Sequence, residues 1–463
     1  MTRFDPSGPL RGSLRPPADK SISHRAALIA AMGEGETAIE GYLDAADTRS
    51  TLAAVRELGA RVEVAAGREG AFEPWGGPGA AVAGPLRIAG VGLYGPRPAA
   101  IDVGNAGTLL RLLPGWLAGQ DGGRWTLDGD DSIRRRPVDR IAVPLRQMGA
   151  NLSSRDNRLP PLEISGAPLS GIEYELPVAS AQVKSCLLFA GLLAEGETCV
   201  IEGHPSRDHS ERMLAAAGAS IERNGAAVAN QVEAPHPPES VSRQRVTVRP
   251  ADRLEPGSIV VPADLSSAAF FIIAALLIAD SEVWIRGVGL NPTRTGLLTI
   301  LARMGAEVEV AAGSEEGGEP IGDLRVHASD LRATEVGGAE VPLAIDELPL
   351  VALAACFAEG TTTIRDAAEL RRKESDRIAT VTAALTALGG EVEATEDGMV
   401  IAGTGGLRGG AVDSHGDHRL AMLGAVAGLA SRGGVEVHGM DAAAVSYPGF
   451  EADLASLLSA PAP

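Results

Sequence analysis

The chain has 463 residues, 45% of them hydrophobic, with a mean hydropathy near zero and a formal net charge of −19. That charge argues against nucleic acid or an anionic membrane as partner, since both need a basic face, so any anionic ligand must be held by a local cluster of cations. The longest apolar run, Ala268 to Ala279, is too short to span a bilayer and Met1 to Leu14 has no apolar signal core, which makes the cytoplasm the expected compartment.

In chain order, Pro16-Pro17 leads into Asp19-Lys20-Ser21, the first of six polar signatures. Each opens an apolar, alanine-rich stretch of helical period, passes a Gly or small polar turn, and enters a short strand rich in Val, Ile and Thr. The others are Asn105-Ala106-Gly107-Thr108, Ser180-Ala181-Gln182, Asp264-Leu265-Ser266-Ser267, Asp346-Glu347 and Asp417-His418-Arg419. They recur at roughly 70 to 90 residues, too long for a solenoid of two-helix repeats. A second helix follows and ends in similar words: Leu58-Gly59-Ala60, Met148-Gly149-Ala150, Ala217-Gly218-Ala219, Met304-Gly305-Ala306 and Leu388-Gly389-Gly390. The glycine reads as a helix C-cap before a strand. Each unit is therefore expected to run helix, strand, helix, strand, giving six related α/β subdomains. No continuous polar face can be drawn through Cys186 to Leu193 or Ala268 to Leu277, so these helices belong inside, with the sheets outside. Breaks at Pro16-Pro17 and from Pro256-Gly257 to Pro262 suggest two three-unit lobes, residues 19–261 and residues 1–18 with 262–463. Gly90 to Gly95 fits a dinucleotide-binding pattern, but Pro96 and Pro98 stand where its helix must begin. Cys186, Cys199 and Cys356 lie in apolar surroundings with no metal or disulfide spacing, and neither metal nor cofactor is expected.

Only three of the 41 basic residues are lysines: Lys20, Lys184 and Lys373. A chain this biased toward arginine is expected to keep lysine where a compact charge or a releasable proton is needed. Lys184, two residues past Gln182, points away from it on a helix and reads as structural or supporting. His209 and His418 have no partner at metal spacing and read as hydrogen-bonded structural histidines. Arg134 and Arg135 read as a solvated run. Asp346-Glu347 has a plain alternative as a helix N-cap pair.

Lys20-Ser21-Ile22-Ser23-His24-Arg25, Gly104-Asn105-Ala106-Gly107-Thr108, Arg136-Pro137, Ser180-Ala181-Gln182, Arg372-Lys373-Glu374-Ser375-Asp376-Arg377 and Asp417-His418-Arg419, in this order, resemble 5-enolpyruvylshikimate-3-phosphate (EPSP) synthases over essentially the whole chain. The resemblance implies a two-lobed inside-out α/β barrel of six helix-strand subdomains, three per lobe. It also implies transfer of enolpyruvyl from phosphoenolpyruvate to the 5-hydroxyl of shikimate 3-phosphate, without cofactor, by a monomer that acts on these small-molecule substrates. Lys20, Asp346 and Glu374 are then catalytic, with Asp346 the base toward the hydroxyl. Lys20, Ser21, Arg25, Ser180, Ala181 and Gln182, with Arg207, Asp346 and Lys373, would hold shikimate 3-phosphate. Lys20, Asn105, Gly107, Arg136, Gln182, Arg377 and Arg419 would hold phosphoenolpyruvate. The residue types suit the chemistry, because two polyanions call for bidentate guanidinium forks, and proton transfer calls for one acid and one base. A lysine among arginines is expected to give up its proton more easily.

Ser132 and Val445 stand where many members of the family carry Arg and Lys, and Glu369 replaces a common Asn. With Leu112 and the Ser180-to-Lys184 run, these look like the glyphosate-tolerant branch. Gly107, with no Cβ, leaves room for the inhibitor and predicts sensitivity. Two other functions compete. UDP-N-acetylglucosamine enolpyruvyl transferases typically have Lys-Asn at the first signature and a reactive cysteine in the N-terminal lobe, whereas here Ser21 follows Lys20 and no cysteine precedes Cys186. A non-catalytic ring such as a sliding clamp would need an evenly basic inner surface, which these dissimilar signatures do not supply.

Overall fold

A computed structural model describes residues 1–67, 70–228, 243–311 and 313–459. Six helices form its interior: Lys20–Met32, Gly107–Ala118, Ala181–Gly191, Leu265–Leu277, Leu348–Ala355 and His418–Ala430. Their apolar character on every side is matched by their burial, with Ile22 to Met32 and Leu265 to Leu276 buried without a break. Four of the signatures begin with the residue that caps the helix. Asp19 Oδ1 accepts from the Ile22 N–H at 2.9 Å, Ser180 Oγ from Val183 at 3.4 Å, Asp264 Oδ1 from Ser266 at 3.0 Å and Asp417 Oδ1 from Arg419 at 2.9 Å. Each bond satisfies one amide that the first helical turn would otherwise leave open.

Outside the helices lie seven sheets, one of them a short two-stranded pair. Strands such as Glu36–Glu40 alternate exposed and buried residues along their length, so one face is wet and the other packs on a central helix. Five units carry the expected second helix, and each of these ends at a glycine of positive φ: Gly59 at 109°, Gly149 at 102°, Gly218 at 92°, Gly305 at 88° and Gly389 at 94°. A Cβ is disfavoured there, which explains the recurrent glycine. The sixth unit departs from the expected pattern. It closes with a 3-10 turn, Met440–Val445, and a helix, Phe450–Ser459, whose Phe450 ring meets Phe270, Phe271 and Tyr447.

The buried residues form two cores. One runs from Ile22 to Val261, and the other joins Leu10 and Leu14 to residues from Leu265 to Leu457. The chain passes between them twice. Arg11–Leu14 pairs in parallel with Glu282–Gly289, and Ser258–Val260 with Glu36–Glu40. The two passages lie against each other, with Asp19 N–H donating to Pro262 O and Asp264 N–H to Pro17 O, both at 2.8 Å. The first and fourth helices therefore start side by side. Among the described residues no helix is long and apolar enough to cross a membrane.

Candidate active site

Lys20, Ser21, Gly107, Ala181, Gln182 and Arg419 all occupy first turns of central helices, where unpaired N–H groups and the helix dipole favour anions. The most crowded point is Asp346. Arg207 donates to its carboxylate from the other core, Lys373 Nζ lies 3.2 Å away and Arg377 Nη1 3.5 Å, and Arg419 Nη1 donates to its carbonyl at 3.0 Å. Burial alone would raise the Asp346 carboxyl, but the Lys373, Arg419, Arg207 and Arg377 charges hold it well below the usual carboxylate range. The N-cap alternative for this signature does not hold, since neither Asp346 nor Glu347 caps the Leu348–Ala355 helix with its side chain. Glu347, fully buried, instead takes the Ser266 hydroxyl and lies 3.6 Å from Arg419 and 3.8 Å from Arg294.

Arg377 is fixed from below. Its Nε donates to Asp417 at 2.9 Å and its Nη2 to Glu374 at 2.7 Å, while Ser375 also reaches Asp417. Lys20 faces a small cavity of about 50 Å³ shared with Asp264, Ser266, Ser267, His418 and Arg419. Its Nζ is 3.2 Å from Asp47, which lies 3.7 Å from His24. Lys20 and Lys373 thus each have a carboxylate neighbour, a setting that the arginine-rich sequence around them did not suggest. Around the second signature, Gln182 accepts from Arg111 at 2.9 Å and donates to Thr108 at 3.3 Å. A Cβ placed on Gly107 would lie 2.5 Å from Arg136 Nη1, so that guanidinium lies directly over the turn. The Asn105 carbonyl accepts from the Gly107 N–H at 3.0 Å.

Two of the expected substrate residues also have partners within the protein. Ser180 spends its hydroxyl on the helix cap, and Arg25 is buried with its guanidinium donating to Ser210, Ser185 and the Ser21 carbonyl. Arg25 therefore braces the first and third helices. His418 lines the cavity and its ring has no hydrogen-bond partner among the described residues, whereas His209 pairs with Glu319 at 2.8 Å, as expected for a structural histidine. Sequence reasoning missed Asp47, Arg111 and Arg294 as site-forming groups and read Glu347 only as part of a signature or helix cap; of the three missed, only Arg111, one turn beyond Gly107 on the same helix, could have been found from spacing.

Asp264 and His418 predict opposing responses to acid. Burial and the Asp19 charge push the Asp264 carboxyl up to about 6, and burial and the Arg419 charge push the His418 imidazole down to about 4. As pH falls toward the ordinary carboxylate value of 3.8, folded Asp264 binds a proton that the unfolded chain does not, which stabilises the fold. As pH falls below the ordinary 6.5, the unfolded chain protonates a histidine that the folded protein keeps neutral, which destabilises it. Between about pH 7 and about pH 5, Tm is therefore expected to drop more steeply in Asp264→Asn than in the parent, and less steeply in His418→Gln. Melting curves at a series of pH values check this, and reversed slopes refute it.

The fold is that of the enolpyruvyl transferases: one from Streptomyces tendae superposes with a TM-score of 0.73 over 98% of this chain and 96% of that one, at 19% identity. Sequence narrows the class. The model of the EPSP synthase (3-phosphoshikimate 1-carboxyvinyltransferase) family matches residues 4–454, and the chain belongs to this family. It is 48% identical to the 3-phosphoshikimate 1-carboxyvinyltransferase of Synechococcus sp. RCC307 over 97% of both chains. It is 49% identical to that of Roseiflexus castenholzii over 95% of this chain and 96% of the other. EPSP synthase from Acinetobacter baumannii superposes with a TM-score of 0.84 at 38% identity, over 98% and 97% of the two chains.

Proposed function

We propose that the chain moves the enolpyruvyl group of phosphoenolpyruvate to the 5-hydroxyl of shikimate 3-phosphate and releases phosphate, with Asp346 as the base. The observation that carries this reading is the gathering of four cations around Asp346 where the two cores meet: Arg207, Lys373 and Arg377 at its carboxylate and Arg419 at its carbonyl. A structural carboxylate needs one cation. Four supply the surplus of fixed positive charge that two polyanionic substrates require. In the reaction the 5-oxygen bonds to C2 of phosphoenolpyruvate as C3 gains a proton, and phosphate leaves as C3 gives that proton back. Asp346 takes the hydroxyl proton, and Lys20 with Glu374 handles the proton at C3. Substrate phosphates and carboxylates draw off part of the positive field around Asp346, which strengthens it as a base only once the site is filled.

Lys20, Ser21, Arg25, Arg207, Lys373 and the Ser180-Ala181-Gln182 turn, with Asp346, hold shikimate 3-phosphate. Asn105, Gly107, Arg136, Arg377 and Arg419 hold phosphoenolpyruvate. The working bodies are residues 19–261 and residues 1–18 with 262–463, a division supported by the two separate cores. Each core is complete within one chain, in keeping with a monomer, and the free, buried Cys186, Cys199 and Cys356 suit a reducing cytoplasm. Phosphate release on incubation with phosphoenolpyruvate and shikimate 3-phosphate tests the reading. Release with UDP-N-acetylglucosamine and none with shikimate 3-phosphate would overturn it.

Glyphosate would occupy the phosphoenolpyruvate subsite, and Gly107 leaves the chain sensitive to it. The methyl of Gly107→Ala meets the Arg136 guanidinium, 2.5 Å from the new carbon, so the arginine must swing aside. Because that group serves both ligands, the variant is expected to raise the inhibition constant for glyphosate roughly tenfold and KM for phosphoenolpyruvate by less, in the same direction. Inhibition kinetics decide. A raised inhibition constant with unchanged KM would place the clash on the inhibitor itself.

A further inference from the structure

Lys184, the one lysine outside the substrate site, is among the largest fully buried side chains of the protein. Its Nζ lies 2.6 Å from Glu202 and 2.7 Å from Glu211, and donates to the Ser206 carbonyl at 3.3 Å. Glu202, at the end of the strand Thr198–Glu202, also accepts from the Ser206 N–H at 3.4 Å and from the Ser206 hydroxyl. Ser206 is thus bound at its amide, its carbonyl and its side chain by a single ion pair. The next residue is Arg207. On its far side Asp208 is held by Asn291 at 2.6 Å and by Arg212 at 2.9 Å.

Burying an ammonium with two carboxylates is expensive, and an apolar cluster of similar volume is often at least as stable, so stability alone is a poor reason for this arrangement. Geometry offers a better one. A point charge with three donors can reach two carboxylates and a carbonyl at once, which the planar fork of arginine cannot do in the same space. Glu211 has a second cation in Arg223 at 2.8 Å, whereas Lys184 is the only cation in ion-pair contact with Glu202 among the described residues.

We propose that Lys184 is a positioning residue for the transfer: by joining the Glu202 carboxylate to the Ser206 carbonyl, it fixes the turn that presents Arg207 to the phosphate of shikimate 3-phosphate and to Asp346. This rests on the assignment of Arg207 to that phosphate. A double-mutant cycle of Lys184→Met and Arg207→Ala separates the two ideas, with Kd for shikimate 3-phosphate and for unphosphorylated shikimate measured by calorimetry on folded protein. Arg207→Ala alone is expected to weaken shikimate 3-phosphate roughly tenfold or more and shikimate little. An unchanged Kd for the phosphorylated ligand overturns the Arg207 assignment. Lys184→Met is expected to weaken shikimate 3-phosphate several-fold with the same selectivity, and to add nothing in the Arg207→Ala background. Equal weakening of shikimate, or a full further loss in that background, overturns the positioning role and leaves the Arg207 assignment standing. Where Lys184→Met does not fold, Glu202→Gln replaces it in the same cycle. It keeps an acceptor for Ser206 and leaves Lys184 beside Glu211, and the same two results overturn the proposal.

Discussion

Replacing Asp346 by Asn is expected to lower kcat by about 100-fold or more while binding of shikimate 3-phosphate persists. The amide matches the carboxylate in size and still accepts a hydrogen bond, so the turn before the Leu348–Ala355 helix is not disturbed. What disappears is the group that takes the hydroxyl proton. The variant also frees Arg207, Lys373 and Arg377 from their shared carboxylate, which lies within 3.5 Å of the last two. Three less-compensated cations bind an anionic ligand no worse, so loss of turnover and retention of binding are expected together. Steady-state kinetics with calorimetry for shikimate 3-phosphate checks both halves. A kcat within a few-fold of the parent would remove Asp346 from proton transfer. Loss of binding in step with turnover would instead make it a structural anchor for Arg207.

Much of this arrangement could be read in the chain because it repeats. Asp19, Ser180, Asp264 and Asp417 recur for a local reason, the capping of a buried helix, and the glycines from Gly59 to Gly389 recur because their φ values demand them. Local causes leave local marks. The groups that went unread arise from contacts between elements distant from the signature. Asp47 reaches Lys20 from the second helix of the same unit, and Arg294 reaches Glu347 from another unit of the same core. Nothing in the spacing of a repeat records which side chain another element will supply. Arg25 shows two uses of one spacing. Four residues past Ser21, an arginine suits an anion beside that serine, and the same spacing lets it donate to the Ser21 carbonyl and to Ser185 and Ser210.

The scarcity of lysine is tested most directly at Lys20. Lys20→Arg preserves the charge, so on electrostatic grounds alone the variant would work. The surroundings argue otherwise. Nζ sits 3.2 Å from Asp47 at the edge of a cavity of about 50 Å³, where Arg419 already supplies a guanidinium. A second planar fork is both larger and differently directed: it would pair bidentately with Asp47 and turn its charge away from the cavity. It also cannot release a proton at any pH the enzyme meets, whereas a lysine can. Misplaced charge and a lost proton route together are expected to reduce kcat by roughly 100-fold. Tm is expected to stay near that of the parent, because the Lys20 side chain is 36% exposed and its ion pair contributes little to folding. Kinetics and melting curves on one preparation test the two expectations together. Near-normal turnover would show that any cation suffices at this position, and the rarity of lysine in the chain would then carry no functional meaning at Lys20.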